Sequence, residues 1–167
     1  RVKQQEPTTT WVEFGVLTDL PYDYRPVFAG TTEAPLKLNQ WNHVAGMADS
    51  INGELRIAVN GALSGTTEIL GIVDVAEFDQ TFSIGNPYPS ATFGDEPFVG
   101  RIDEVRLSSS IRYTAPFIPE AVFANYADTV GLWHFDEAED ATTFVDSSVD
   151  KYHLKSEYGA ATIEGAR

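Results

Sequence analysis

Five aspartates, Asp49, Asp95, Asp103, Asp136 and Asp146, stand at turns and strand ends of this 167-residue chain, where hard carboxylate oxygens can gather round a calcium ion. Two of them also have plainer uses. Asp103 has Arg101 and Arg106 near it as ion-pair partners, and Asp146 precedes Ser148 by two residues, the spacing of a turn cap. Four aromatic residues in turn-rich stretches, Tyr22, Tyr24, Tyr88 and Phe93, could stack on sugar rings or pack their loops against the core. Other metal or nucleophilic chemistry has little material here. Cysteine is absent, the three histidines His43, His134 and His153 are dispersed, and no H-E-x-x-H occurs. Neither a zinc set nor a nucleophilic pair can be assembled, and a structural role is expected for His43.

These groups must be positioned by short strands. In Phe98–Leu107, Ile102, Glu104 and Arg106 alternate with Asp103, Val105 and Leu107, the period of a strand, while Gly100 marks a bulge or a close backbone approach. Residues 11–17 and 41–48 read as strands as well. After the latter comes Asn52-Gly53, a strong hairpin signal, then the return arm Glu54–Val59, then a second turn at Asn60-Gly61. Strand, Asn-Gly, strand, Asn-Gly, strand predicts an antiparallel meander. Further strands are expected at 81–86, 129–135, 144–145, 152–154 and 160–163. Residues 19–26 read as a loop, and 116–125 as a helical turn or a packed loop. Residues 1–10 read as a loosely ordered arm preceding a single domain over 11–167.

No apolar stripe of period 3.6 extends beyond about two turns, so the class is all-β, and this many strands imply a two-sheet antiparallel sandwich or jelly roll. Composition agrees: 43% hydrophobic and 12% aromatic residues with 13 Gly and 9 Pro describe a folded, turn-rich protein. Twenty-five acidic against 11 basic residues give a net charge of −14, which repels phosphate backbones and argues against a nucleic-acid partner. No apolar run is long enough for membrane insertion. The start at Arg1, with no signal-peptide pattern after it, reads as a piece cut from a longer chain.

Three ordered motifs resemble the laminin G-like, concanavalin A-like jelly-roll modules, bacterial and phage versions in particular. Trp41-Asn42-His43-Val44-Ala45-Gly46 with Leu55–Gly61 is similar to the family's W-x-H-V-A strand and its partner ending in N-G. Phe82-Ser83-Ile84-Gly85 leading to Gly100-Arg101-Ile102-Asp103-Glu104-Val105-Arg106 resembles F-x-I-G and G-x-I-D-E-V-R. Arg112-Tyr113-Thr114 through Pro119, then Leu132-Trp133-His134-Phe135-Asp136 and Asp146-Ser147-Ser148, completes the set over roughly residues 40–155. In the usual order such a module opens with a strand like Leu132–Glu137, whereas here that pattern comes last. Residues 129–167 therefore either close their own sandwich as a permuted segment, begin another module, or are exchanged with a neighbouring copy.

The resemblance implies a noncatalytic binding module of a larger extracellular, cell-surface or virion protein that recognises glycan or protein. Structural calcium is implied with it, Asp103 and Asp146 being the first candidate ligands. Related glucanases carry E-x-D-x-E on one strand face, for a nucleophile and an acid. Glu137-Ala138-Glu139-Asp140 has Glu where that motif needs Asp and lacks its last Glu, so a glycoside hydrolase is the least favoured expectation. From a different class comes the alternative of a structural, self-assembling decoration, fibre or filament subunit whose partners are copies of itself.

Overall fold

The structure is a computed structural model and describes residues 2–5, 9–17, 24–29, 36–37, 39–69, 82–85, 98 and 100–156. The described residues carry ten strands and no helix, and all strand pairings are antiparallel. Two compact units divide the chain, Arg1–Thr81 with Tyr113–Pro119, and Phe82–Arg112 with Glu120–Arg167.

The first unit is a pair of three-stranded sheets. One runs β1 (Val2–Gln5), β2 (Thr9–Leu17), β3 (Tyr24–Ala29), and the other β4 (Val44–Asp49), β5 (Glu54–Val59), β6 (Ala62–Glu68). Alternation on β5 sends Leu55, Ile57 and Val59 to one face, where all three are fully buried and cluster with Val12 of β2 and with Ile69. Phe14, Val16, Leu36 and Ala48 pack around that cluster, so the core lies between the two sheets. This is the antiparallel two-sheet sandwich that the alternation predicts.

Both Asn-Gly turns form as expected. At the second, Asn60 and Gly61 both have positive φ (51° and 83°) between the paired residues Val59 and Ala62, a two-residue turn whose twist matches its strands. Asn60 also fastens the turn to the start of β4: its N–H donates to the His43 carbonyl (2.8 Å), and its Oδ1 accepts from the His43 N–H (3.0 Å). Gly61 meets the segment 113–119, and a Cβ there would lie 1.9 Å from the Phe117 carbonyl oxygen, so only glycine fits. Tyr113 and Phe117 stack in parallel, 3.5 Å between ring centroids, with the His43 ring edge-on to both. His43 thus has the structural place expected of it.

In the second unit β7 (Val105–Ser108) pairs with β8 (Thr129–Trp133), and β9 (Thr143–Phe144) with β10 (Leu154–Lys155). The segment from Thr129 therefore pairs with a strand of its own chain. Arg112 pairs with Asp128, which also accepts from the Ser110 hydroxyl, while the Arg106 guanidinium sits 4.6 Å from the Phe123 ring centroid and bonds Glu120 (3.2 Å). These contacts tether the loop from Glu120 to Asp128, which has no helical turn and, apart from Phe123 and Asp128, is exposed rather than packed.

Several expected boundaries move. Val2–Gln5, within the stretch read as an arm, is β1, because its backbone groups find a ladder with Thr9–Val12. The loop read over 19–26 gives way at Tyr24, which opens β3 opposite Leu17. Residues 82–85 are not a strand, Gly85 adopting φ of 84°. The long strand read over 102–107 begins only at Val105, since Glu104 takes a left-handed conformation (φ 51°) that breaks the alternation. Residues 160–163 lie outside the described residues.

Replacing Ile57 by Ala should cost about 2–5 kcal/mol of unfolding free energy, because its side chain is enclosed on all sides. Urea unfolding measures this, and a loss below about 1 kcal/mol would contradict a core centred on β5.

Candidate functional site

Two sites emerge, a buried carboxylate that holds the second unit together and an open polar groove on the first. Asp146 is fully buried. Its Oδ1 accepts from the backbone N–H groups of Leu132 (2.8 Å) and Ser148 (2.7 Å), and its Oδ2 from that of Tyr152 (2.8 Å). The Ser148 hydroxyl lies 2.8 Å from Oδ2 and 3.0 Å from the Val130 carbonyl, sharing one proton between them. Three backbone donors and a hydroxyl thus converge on one carboxylate, tying the end of β8 to the turn at 146–148 and to the chain at Tyr152. Burial opposes ionisation of Asp146, but the hydrogen bonds from Ser148, Leu132 and Tyr152 outweigh it and hold the carboxyl below its ordinary value.

The sequence marks Asp146 as a calcium ligand, and its surroundings do not fit that role. Its lone pairs point at protein donors, so a cation could enter only by displacing them. The other expected ligand, Asp103, has Oδ1 accepting from the Glu104 N–H at 3.1 Å. Among the described residues no three His, Asp or Glu side chains converge in a way that would hold a metal ion. Glu104 itself is a nearly buried carboxylate that accepts from the Phe123 N–H (2.9 Å) and from His134 Nδ1–H (3.0 Å). The third histidine, His153, accepts the Asp146 N–H at Nδ1 (3.0 Å). Glu137 to Asp140 lie in the loop after β8 rather than on a strand face, and Glu137 accepts from the Val145 N–H at 2.7 Å.

The aromatic candidates fare differently. Tyr22, Tyr88 and Phe93 lie outside the described residues, and Tyr24 is placed by its backbone at the start of β3.

The groove is built on the polar half of the same alternation that makes the core. Glu54 and Arg56 project from the face of β5 opposite Leu55 and Ile57, with Thr66 of β6 directly across from Arg56. Beside them the ladder slips between Ile57 and Ala58: Ile57 pairs with Gly65 and Ala58 with Leu63, leaving Ser64 as the extra residue of a bulge. A shallow groove of about 380 Å³ opens there, lined by Glu54, Arg56, Leu63, Ser64, Gly65 and Thr66, within the size range of small-ligand sites.

Its polar groups are already ordered. Arg56 donates from Nε (2.8 Å) and from Nη2 to Glu54 Oε2, with Asp49 Oδ2 3.9 Å from Nη2. Thr66 donates to Glu54 Oε1 (3.1 Å), and Ser64 to the Ala62 carbonyl (2.9 Å), which leaves the serine oxygen as an acceptor. The Arg56 hydrogen bond holds Glu54 below its ordinary pKa, and Glu54 in turn raises Arg56. Asp49 is lowered first by hydrogen bonds from Asn52, whose N–H and Nδ2 reach its two oxygens at 3.0 and 2.8 Å. The array therefore offers fixed carboxylates, a guanidinium and two hydroxyls beside the apolar Leu63. Sequence reasoning passed over these residues, although Gly65 inside a strand pattern is a bulge signal.

An antiparallel two-sheet sandwich is the architecture of lectin-like domains, and the match to a family model agrees with it. The chain belongs to the laminin G-like family whose model, described as Concanavalin A-like lectin/glucanases superfamily, matches residues 9–115, more than half its length. That superfamily holds binding modules and glycosidases alike. No curated protein and no solved structure is significantly similar to the chain.

Asp146→Asn should destabilise the protein by about 1.5–3 kcal/mol, because the amide turns a donor toward groups that also donate. The folded-state pKa of Asp146 is lowered, so its contribution is present above the unfolded value and is lost as pH falls through the folded one. Unfolding midpoints taken downward from pH 5 should fall more steeply for wild type than for Asp146→Asn. Parallel curves would contradict the assignment.

Proposed function

We propose that this chain is the noncatalytic recognition module of a larger extracellular, cell-surface or virion protein, and that it binds glycan in the groove over β5 and β6. Supporting this is one observation above the others: the bulge at Ser64 opens a concavity where Glu54, Arg56, Ser64 and Thr66 already hold fixed donors and acceptors. Preorganisation matters because a sugar ring offers many weak hydrogen bonds, and side chains already held in place lose little freedom on binding it. Lining residues of mixed polarity suit it further, with hydroxyls and charges meeting the ring's oxygens and Leu63 its C–H face.

Glycan arrays should therefore give ligands without turnover. Thr66→Val keeps the side chain's shape but removes a hydroxyl of the array, Arg56→Gln removes its guanidinium, and each should weaken binding about tenfold, roughly the loss of one hydrogen bond. Melting curves check that both variants stay folded. If neither substitution changes affinity while alanine at Tyr22, Tyr24, Tyr88 or Phe93 abolishes it, the binding surface is the loop rim and the groove assignment fails.

A further inference from the structure

Resting on that glycan-binding function, we infer that the groove selects neutral, hydroxyl-rich saccharides and rejects polyanionic ones such as sulfated or uronate-rich chains. Charge balance carries this. Arg56 is the cation of the groove, and two of its donors, Nε and Nη2, are committed to Glu54 Oε2. Asp49 stands beside it at 3.9 Å, so one guanidinium faces two carboxylates. Glu68, directly across the ladder from Glu54, adds a third. An incoming sulfate or carboxylate would meet a surface with surplus negative charge on a chain of net charge −14.

Hydroxyl groups meet no such barrier. A sugar hydroxyl both donates and accepts, so it can give its proton to Glu54 or to the Ser64 oxygen and take one from Arg56 Nη1, which has no partner among the described residues. Vicinal hydroxyls can engage neighbouring groups of this array at once, while an anionic group can only accept. Recognition by a built cation would need the reverse arrangement, with a guanidinium or ammonium left uncompensated.

Calorimetric titration of the whole chain against neutral β-glucans, mannans and galactans, and against chemically sulfated preparations of the same polymers, tests this. A neutral polymer should bind, and its sulfated counterpart should bind at least about tenfold more weakly at low salt. Raising salt should narrow that gap, because screening relieves repulsion. The exposed variant Glu68→Gln should narrow it too, without touching the Arg56 pair. Tighter binding of the sulfated polymer, with an affinity that falls as salt rises, would overturn the inference while leaving glycan binding intact. Failure of every polymer, neutral and sulfated, would sink the glycan-binding function and the inference together.

Discussion

The alternation of β5 is the constraint from which the rest of the first unit follows. Leu55, Ile57 and Val59 must turn one way to be enclosed between the sheets, and a strand has only two faces. Glu54 and Arg56 are thereby forced onto the opposite face, in register with Asp49 on one side and Thr66 on the other. A slip of one residue would bury a guanidinium and expose the core. The register is therefore protected by the hydrophobic effect, and the polar array inherits that precision at no separate cost. The bulge at Ser64 then lets β6 depart from the ladder just where the groove lies, so fold and site share one cause.

The second unit answers a different problem, that of joining very short strands. With two residues each in β9 and β10, ladder hydrogen bonds alone are too few to fix the chain. Asp146 supplies what the ladders lack, by collecting donors from Leu132, Ser148 and Tyr152 on one buried carboxylate. Trp133 adds a second tie, its indole N–H donating to the Tyr152 carbonyl (3.1 Å) while its ring stacks on Phe82 at 5.5 Å. A carboxylate so thoroughly bonded is a structural element. That is why the same aspartate, attractive as a cation ligand in sequence, is chemically committed in the fold.

Local signals in the sequence were legible where the physics is local. Both Asn-Gly turns, the β4–β5–β6 meander and the all-β class follow from turn chemistry and period, and Asp146 beside Ser148 is readable as a turn cap. What escaped depends on distant partners. Glu104 departs from strand geometry in company with contacts to Phe123 and His134, 19 and 30 residues away, and no spacing rule near Glu104 announces them. Val2–Gln5 is polar and looks like an arm, yet pairing with β2 satisfies its backbone. The groove residues were hidden for another reason. Glu54, Arg56 and Thr66 look like the ordinary solvated half of an alternating pattern, and become a site only once the bulge shapes the surface around them.

The proposed function places ligand on the polar face of β5 and β6. Backbone amide chemical shifts of ¹⁵N-labelled protein, followed while a binding neutral oligosaccharide is titrated in, test it most directly. The largest changes should map to residues 54–56 and 63–66, with the Arg56 side-chain resonances among them. Changes confined to other parts of the chain, with Glu54, Arg56, Ser64 and Thr66 unmoved at saturation, would contradict it.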